Sequence, residues 1–314
     1  MKVIHRIEEQ RGKGWLATVG FFDGVHAGHR FLIQEMRRLA DERGLSTAVF
    51  TFQTHPRIIM QADYQPKLLN SMDEKLALLA SAGIESCVVM DFTPEMAACP
   101  ASDFIVKYLS GQWHVQCLLV GYDHRFGYHR TDGFEQYVAY GKACGIEVLH
   151  ALPYEKDAEK VSSSKIRQLL TEGRVEEAAC LLNYPYRLKG HVVGGNQIGR
   201  TIGFPTANIA IDDPLKALPG MGVYAVWVTV DNKRYKGMLS IGNRPTLDGG
   251  HTSVEVHILH FSDTIYSQSI EIEFISYLRD NQKFENIQTL KAQLNKDQLQ
   301  VEDMLFNYEF KFTI

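Results

Sequence analysis

The chain has 314 residues, with 33 Lys and Arg against 37 Asp and Glu and a formal net charge of -4. This length predicts about two domains of about 150 residues each, and either half is long enough to bury a core of its own. The charge excludes a global basic field that would recruit nucleic acid, although local phosphate sites built from backbone amides and a few cations remain open.

The first part of the chain alternates strand-like and helix-like segments. Short apolar runs, typical of buried parallel strands, lie at Leu16–Phe22, Leu45–Phe52, Ser86–Phe92, Val115–Gly121 and Ile146–Leu152. Helical patterns cover Gly28–Arg43, Asp73–Ala82, Ala101–Leu109 and Asp132–Cys144. Gly44, Gly83 and Gly145 each follow a helix, where a left-handed C-cap is expected. The alternation predicts an α/β domain with a parallel sheet, in which ligands bind beyond the carboxyl ends of the strands.

The middle of the chain separates two kinds of pattern. The charged stretch Glu155–Lys160 is predicted to be a mobile surface loop. Two short helices are predicted at Ser163–Thr171 and Val175–Leu182, and Asn183–Arg187 is predicted to be a linker. We therefore divide the chain into domains of residues 1–183 and 184–314.

The last part of the chain is strand-rich. Strand patterns without helices between them lie at Gly190–Gly195, Phe204–Ile211, Val223–Val230, Arg234–Ile241, Val254–Leu259 and Ile270–Tyr277. Asp231 and Asn232 form a good hairpin turn between two of these strands. Helical periodicity returns only at Ile287–Asn307. The pattern favours an antiparallel β-barrel or sandwich, here taken as a barrel, with a C-terminal helix.

Cysteine usage and the lack of long apolar runs indicate in which cellular compartment the protein is expected. The five cysteines form no Cys-x-x-Cys pair, and their odd number favours reduced core thiols over disulfides or a zinc site. No run approaches the ~18 apolar residues of a membrane span, and residues 1–10 lack a signal-like apolar core. We expect a cytoplasmic protein.

The segment Gly20–His29 follows the first predicted strand and opens a helix. It holds His26 and His29, three residues apart with a glycine between them. Free backbone amides and the helix dipole favour phosphate at this place, and two imidazoles add donors to charge that develops on phosphorus. The motif predicts chemistry on a nucleotide triphosphate. A zinc pair is the alternative, but no cysteine or third histidine has matching spacing.

Three further segments can join this motif. Thr51–Pro56 and Gly121–Gly127 each follow a predicted strand, so both are expected at the same rim of the sheet. Ser162–Arg167 opens a helix, where serine hydroxyls and amides can hold phosphate and Lys165 or Arg167 can neutralise it. Alone, the serines would be an ordinary helix cap and His55 a loop histidine. Their order along one chain favours the functional interpretation.

Together these segments resemble the FMN adenylyltransferase module of bacterial bifunctional riboflavin kinase/FAD synthetases, which belongs to the nucleotidylyltransferase superfamily. The resemblance implies a Rossmann-like nucleotidylyltransferase domain. It also implies that His26 and His29 bind the ATP phosphates and stabilise the transition state. By the same resemblance the triphosphate is closed over by Ser163, Ser164 and the catalytic Arg167. The flavin or nucleotide pocket is bordered by His55 and Asp123, and the remaining ATP-binding candidates are Gly20, Phe22, Asp23, Gly24 and Gly28.

Two residues depart from the pattern of that module. Thr54 stands where the family usually has proline, and the expected effect is a looser loop. His124 stands where the family usually has phenylalanine, so an imidazole occupies the place of a packed ring.

A second cluster of candidate residues lies in the strand-rich part. Gly194–Thr201 nearly matches GxxxxGK[ST], but Arg200 replaces the lysine and a strand follows instead of a helix, which excludes a P-loop. Thr206 and Asn208 point the same way in an extended chain and offer the hard oxygen ligands that suit Mg²⁺. In the predicted strand, Val254 and Val256 lie on one face and Glu255 on the other. A carboxylate there can act as a general base towards a bound alcohol. The plain alternatives are a solvent-facing glutamate and an ordinary turn after a proline.

Five segments of this part resemble the riboflavin kinase module of the same family; they are Gly199–Ile209, Gly222–Val228, Ser240–Thr246, Glu255–Leu259 and Phe274–Phe284. The resemblance implies that Thr206 and Asn208 bind Mg·nucleotide and that Glu255 deprotonates the ribityl 5′-hydroxyl. The nucleotide or flavin would be framed by Gly199, Arg200, Gly203, Phe204, Pro205 and Asn243. Ser267 replaces a usual glycine, which predicts a local turn effect.

The sequence thus predicts a bifunctional ATP-dependent enzyme with Mg²⁺ as cofactor. One site phosphorylates riboflavin to FMN, giving ADP, and the other joins FMN to AMP, giving FAD and pyrophosphate. We expect no nucleic-acid or membrane partner and a monomer or weak homo-oligomer. Two alternatives remain at this point. One is a flavin-binding regulator without turnover, and the other is a monofunctional enzyme whose adenylyltransferase is inactive because of His124.

Overall fold

The chain divides into two units, Met1–Ser163 and Ser164–Ile314. The computed structural model describes residues 1–6, 14–61, 63, 65–154, 161–195, 198–244 and 251–311. The predicted loop Glu155–Lys160, residues 196–197 of the glycine-rich segment and residues 245–246 of the Ser240–Thr246 segment lie outside these ranges. This geometric division lies about 20 residues before the predicted boundary between residues 183 and 184. The predicted boundary separates two functional modules and stays a prediction.

A parallel sheet organises the first unit. Its strands are β1 (Lys2–Ile4), β2 (Trp15–Val19), β3 (Ser46–Phe52), β4 (Ser86–Met90), β5 (Val115–Val120) and β6 (Glu147–His150). They lie in the order β1-β4-β3-β2-β5-β6, and every pair is parallel. The predicted parallel sheet is confirmed. β1 escaped prediction because three residues are too few for a pattern, and β2 ends earlier than expected because Phe22 turns the chain with φ of 55°.

Helices connect these strands. They are α1 (Ala27–Arg43), α2 (Pro56–Met60), α3 (Met72–Ser81), α4 (Pro94–Ala97), α5 (Ala101–Asp103), a π-helical segment (Phe104–Gln112), a 3₁₀ turn (Tyr128–Arg130) and α6 (Phe134–Cys144). Gly44, Gly83 and Gly145 have φ values of 64°, 89° and 80°, which confirms the left-handed helix ends. The short helices α2 and α4 were not predicted, since a single turn carries no periodicity.

Both faces of the sheet are covered, as a parallel sheet requires. Along β2, Trp15, Ala17 and Val19 pack into one core, while Leu16 packs into the other together with Ile33 of α1. All five cysteines are free thiols. Cys87 and Cys117 are buried, whereas Cys180 is exposed. Complete burial of β2 fixes the position at which the chain emerges at the carboxyl edge of the sheet.

A closed antiparallel barrel organises the second unit. Its strands are β7 (Tyr186–Val193), β8 (Ala207–Ile211), β9 (Gly222–Val230), β10 (Lys233–Arg244), β11 (His251–Ile258) and β12 (Ser269–Arg279). Around the barrel they follow the order β10-β11-β8-β7-β12-β9. The predicted barrel is confirmed, and Asp231 and Asn232 form its hairpin turn with positive φ. The predicted linker is wrong at its end, because Tyr186 begins β7 and its buried hydroxyl donates to the carbonyl oxygen of Ala217 at 2.6 Å.

The remaining helices among the described residues are α7 (Ser163–Thr171), α8 (Val175–Leu182), α9 (Ile198–Thr201) and α10 (Ile287–Lys311). α8 packs on β7 and β12, where Glu176 accepts a hydrogen bond from the backbone N–H of Tyr277 at 3.1 Å. α10 packs on β9 and β10, and Arg279 of β12 holds it through the buried carboxylate of Asp297 at 2.7 Å. The predicted C-terminal helix is confirmed. No helix in the described part of the chain is long and apolar enough to cross a membrane.

Candidate functional sites

The turn between β2 and α1 has an unusual backbone. Phe22, Gly24 and Val25 all have positive φ, at 55°, 86° and 35°. The left-handed region is costly for residues with a side chain, and such strain is concentrated at ligand-binding sites. The backbone N–H of Gly20 donates to the carbonyl oxygen of Phe50 at 2.9 Å, which fixes the start of the turn to β3.

The two histidines of this turn form a stacked pair. His26 caps α1, and its Nδ1 accepts the backbone N–H of His29 at 3.3 Å. Their ring centroids are 3.7 Å apart, with planes inclined by 14°. Burial lowers the pKa of His29 well below its usual value, and the neighbouring His26, His124 and Lys75 lower it further. Two imidazoles, with His29 held neutral, therefore stand at a helix N-terminus, an arrangement that suits hydrogen bonding to phosphate.

Asp23 ties the turn to two other segments. Its side chain is buried, and Oδ1 accepts the backbone N–H groups of Leu69 at 2.9 Å and Asn70 at 3.3 Å. Its carbonyl oxygen accepts the hydroxyl of Ser163 at 2.9 Å. The carboxylate thus holds the segment before α3, and the predicted ATP-binding role of Asp23 stays a prediction.

Lys75 of α3 is a functional candidate that the sequence analysis missed. It is 2% exposed, and its Nζ lies 3.6 Å from the ring centroid of Phe21. Burial lowers the pKa of Lys75 to about 8, against the opposing influence of Asp23 and Cys87. The available signal was a lysine four residues before the buried Leu79 on the same helix face.

The segments after β3 and β5 reach the same edge of the sheet as the histidine turn, since both strands pair with β2. His55 caps α2 by accepting the backbone N–H of Arg57 at 3.1 Å, and its ring meets the Phe21 ring edge-on at 4.6 Å. After β5 the backbone N–H of His124 donates to the carbonyl oxygen of Gly121 at 3.0 Å, and Asp123 is exposed. The three predicted segments of the first unit therefore converge.

The start of α7 holds the remaining residues that the sequence analysis expects at the triphosphate. Ser163 closes the first unit, whereas Ser164 and Arg167 belong to the second. Arg167 Nη2 donates to the hydroxyl of Ser164 at 3.3 Å. The predicted approach of these two residues to the triphosphate stays a prediction, as does the role of Gly28.

In the barrel, three oxygen-bearing side chains share one face. Thr206 Oγ1 donates to Glu255 Oε2 at 3.3 Å, and Asn208 of β8 lies directly opposite Glu255 of β11. Val254 and Val256 are buried on the other face of β11. A cavity of about 280 Å³ opens beside Thr206 and is also lined by Arg200. The donors are a hydroxyl, an amide and a carboxylate, which is the set that Mg²⁺ accepts together with phosphates and water.

The loop before β8 is shaped by close backbone contacts. A Cβ at Gly199 would lie 2.2 Å from the carbonyl oxygen of Phe204, so only glycine fits there. Gly203 has φ of 88°. Phe204 is buried in the core under α10. The ring of His257 makes a 2.7 Å hydrogen bond to the carbonyl oxygen of Pro205 through Nδ1, and burial lowers the pKa of His257, so Nδ1 carries the proton of a neutral ring.

Asn243 lies on β10, three residues beyond Ser240, which pairs with Glu255. It is exposed on β10 and pairs with Thr252 of β11. Among the described residues no group of three or more His, Cys, Asp or Glu side chains is placed to hold a metal ion. A metal held by Thr206 and Asn208 would therefore take its remaining ligands from water and nucleotide phosphates.

Comparison with known proteins places both sites in context. The sequence model of the family described as FAD synthetase matches residues 8–165, and that described as riboflavin kinase matches residues 182–305. The bifunctional riboflavin kinase/FMN adenylyltransferase of Listeria monocytogenes is 37% identical, covering 90% of this chain and 89% of that protein. The protein of the same name from Haemophilus influenzae is 37% identical, covering 91% and 92%. A crystal structure named for a macrolide-efflux protein from Streptococcus pneumoniae is similar with a TM-score of 0.87 and 31% identity, covering 96% and 98%.

Proposed function

The chain belongs to the family of bifunctional riboflavin kinase/FMN adenylyltransferases, and we propose that residues 1–183 carry the adenylyltransferase and residues 184–314 the kinase. The enzyme uses ATP to convert riboflavin to FMN and FMN to FAD. Two sites with different donor groups, one in each unit, support this division. The stacked pair of His26 and His29 at the N-terminus of α1 is the observation that carries the adenylyltransferase assignment.

In the adenylyltransferase site, an oxygen of the FMN phosphate attacks the α-phosphorus of ATP. The bond from this phosphorus to the oxygen that bridges to the β-phosphate breaks, and pyrophosphate leaves with that electron pair. The nucleophile is already an anion, so no protein base is required. His26 and His29 donate to phosphate oxygens and stabilise the charge that develops there.

The surrounding residues position the triphosphate in this proposal. Gly20, Phe22 and Gly24 form a turn whose backbone approaches the phosphates closely. The hydroxyl of Ser163 donates to the Asp23 carbonyl oxygen. From the family resemblance we further propose that Ser164 hydrogen-bonds to the triphosphate and that Arg167 neutralises part of its charge. The flavin or nucleotide ring system is bordered by His55 and Asp123.

In the kinase site, Glu255 accepts the proton of the riboflavin 5′-hydroxyl while that oxygen attacks the γ-phosphorus of ATP, and ADP leaves. The hydrogen bond from Thr206 to Glu255 holds the carboxylate in place. Thr206 and Asn208 would hold Mg²⁺, which neutralises phosphate charge when it is bound. The residues proposed to frame the nucleotide or the flavin are Gly199, Arg200, Gly203, Phe204, Pro205 and Asn243.

Chromatographic separation of riboflavin, FMN and FAD after incubation with ATP, with and without Mg²⁺, tests this proposal. Riboflavin should yield FMN and then FAD, and FMN supplied directly should yield FAD. A protein that binds flavin without changing it would be the regulator. Conversion that stops at FMN would show that the adenylyltransferase is inactive. Cytoplasmic location and the oligomeric state stay predictions.

A further inference from the structure

His124 follows β5, and β5 pairs with β2, the strand that leads to the histidine turn. A Cβ added at Gly121 would lie 3.3 Å from His124 Cβ and 4.0 Å from Leu32 Cδ2. Leu32 is on α1, three residues after His29, and such positions are neighbours on a helix surface. The turn after β5 therefore packs against the first turns of α1.

Two buried ring nitrogens lack hydrogen-bond partners here. Within the described part of the chain, neither Nε2 of His124 nor Nδ1 of His29 has a partner, and both atoms are buried. The His124 ring packs at 6.0 Å from the Phe126 ring with a 30° inclination, as a phenylalanine could. A phenylalanine would leave no polar atom unsatisfied, whereas a buried imidazole nitrogen without a partner costs free energy. A ligand oxygen that hydrogen-bonds to His124 Nε2 would remove this cost.

The charged groups around His124 fix its protonation state before a ligand binds. Burial and, to a smaller extent, the charge of Arg130 lower the pKa of His124 to about 4, while Asp123 opposes this shift. His29 is the other titratable neighbour, and burial also lowers its pKa. Both rings are therefore neutral at pH 7, and each can donate one N–H without the cost of burying a positive charge.

We propose that His124 is a substrate-binding residue of the adenylyltransferase site, which donates from Nε2 to an oxygen of the ATP polyphosphate beside the oxygen that His29 binds. The inference rests on the proposed function of this site. The family usually has phenylalanine at this position, so the contact is not implied by the resemblance. A polyphosphate oxygen satisfies the ring nitrogen and supplies the negative charge that the neighbouring helix N-terminus also attracts.

Substitution His124→Phe tests the proposal, because it keeps a packed ring and removes the nitrogen. Loss of one hydrogen bond to a charged group should raise the KM for ATP in FAD formation from FMN by about tenfold. The inhibition constant of pyrophosphate in the same assay should rise similarly, while kcat changes far less. Riboflavin phosphorylation by the same preparation serves as the internal control and should keep the wild-type rate.

A second pair of variants covers the case in which His124→Phe does not fold. Gln places an amide near the position of Nε2, whereas Met is similar in length and has no N–H. The proposal requires a higher KM for ATP in His124→Met than in His124→Gln. Wild-type KM and pyrophosphate inhibition in His124→Phe, or equal values for the Met and Gln variants, would show that the ring only packs. Wild-type protein that makes no FAD would instead overturn the proposed function of the whole site.

Discussion

The histidine turn of the first unit and the Thr206–Glu255 face of the barrel both point to ATP chemistry, yet they are built from opposite kinds of group. The turn offers imidazoles, one of them with its pKa held low by burial, and backbone donors at a helix N-terminus. The barrel face offers a carboxylate, a hydroxyl and an amide. The two sites differ in their functional groups because the two proposed reactions use different nucleophiles. A phosphate monoester arrives ionised and needs only donors for the charge that develops, whereas an alcohol must lose a proton.

The carboxylate of the barrel gives the largest expected effect. Glu255→Gln removes the proposed base but keeps the shape, so FMN formation from riboflavin should slow by about 10²–10⁴. FAD formation from added FMN should keep its rate, since that site uses no carboxylate as a base. Steady-state assays of the two half-reactions measure both effects.

Glu271→Gln is the matched control for that substitution. Glu271 lies on β12 and pairs with Lys189 at 3.3 Å at the barrel surface, where ion pairs contribute little. Its kinase rate should equal that of the wild type. A normal kinase rate in Glu255→Gln would show that Glu255 is not the base. The explanation of the difference between the two sites would then be wrong.

His29→Ala gives the next largest effect, on the other site. Loss of a transition-state donor should slow FAD formation from FMN by about 10²–10³, and riboflavin phosphorylation should be unaffected. His114→Ala is the control, because His114 is exposed and precedes β5, at the opposite edge of the sheet. Equal loss of both activities in His29→Ala would indicate misfolding rather than a role in catalysis.

A substitution at Lys75 measures how strongly burial in the first unit disfavours the charged form of this side chain. The pKa of Lys75 is about 8 in the folded protein, below its usual 10.5. Between these values the unfolded chain binds more protons, so folding stability contributed by this residue rises with pH. The free energy of unfolding of wild type relative to Lys75→Met should increase by about 2–3 kcal/mol from pH 8 to 10.

Tryptophan fluorescence can measure this effect in one unit. Trp15 and Trp113 lie in the first unit and Trp227 in the second. Urea unfolding in a Trp227→Phe background therefore reports the first unit alone. Equal slopes against pH in wild type and Lys75→Met would mean that Lys75 titrates normally. The raised pKa of Cys87, about 12, is present in both proteins and largely cancels in the comparison.

Lys75 also shows where prediction from sequence ends. The longer helices and strands were predicted near their observed positions because their apolar patterns are local, and Val175–Leu182 was predicted to the residue. Phe22 was assigned to a strand because an aromatic residue after an apolar run gives no sign of a positive φ. Tyr186 was assigned to a linker because its strand partner lies far along the chain. The burial of Lys75 over Phe21 depends on contacts between helix and turn, which a single sequence does not contain.

The residues chosen for function divide in the same way. His26 and His29 were found because their spacing and position at a helix start are local features. Thr206 and Glu255 are distant in sequence, and only the register of β8 and β11 brings them within 3.3 Å. Their pairing came from the resemblance to a family rather than from the residues themselves.

Thr206 gives the smallest effect and the finest test of the comparison. Thr206→Val keeps the shape and removes the hydroxyl that donates to Glu255, so the kinase should need about tenfold more Mg²⁺ for half its maximal rate. Thr206→Ser restores the hydroxyl and should return this requirement close to wild type. The Mg²⁺ requirement of FAD formation from FMN should not change in either variant. If the Mg²⁺ requirement of FAD formation moved in parallel with that of the kinase, Thr206 and Asn208 would not form a metal site of the kinase alone. If Val and Ser variants both matched wild type, Thr206 would only orient the loop before β8.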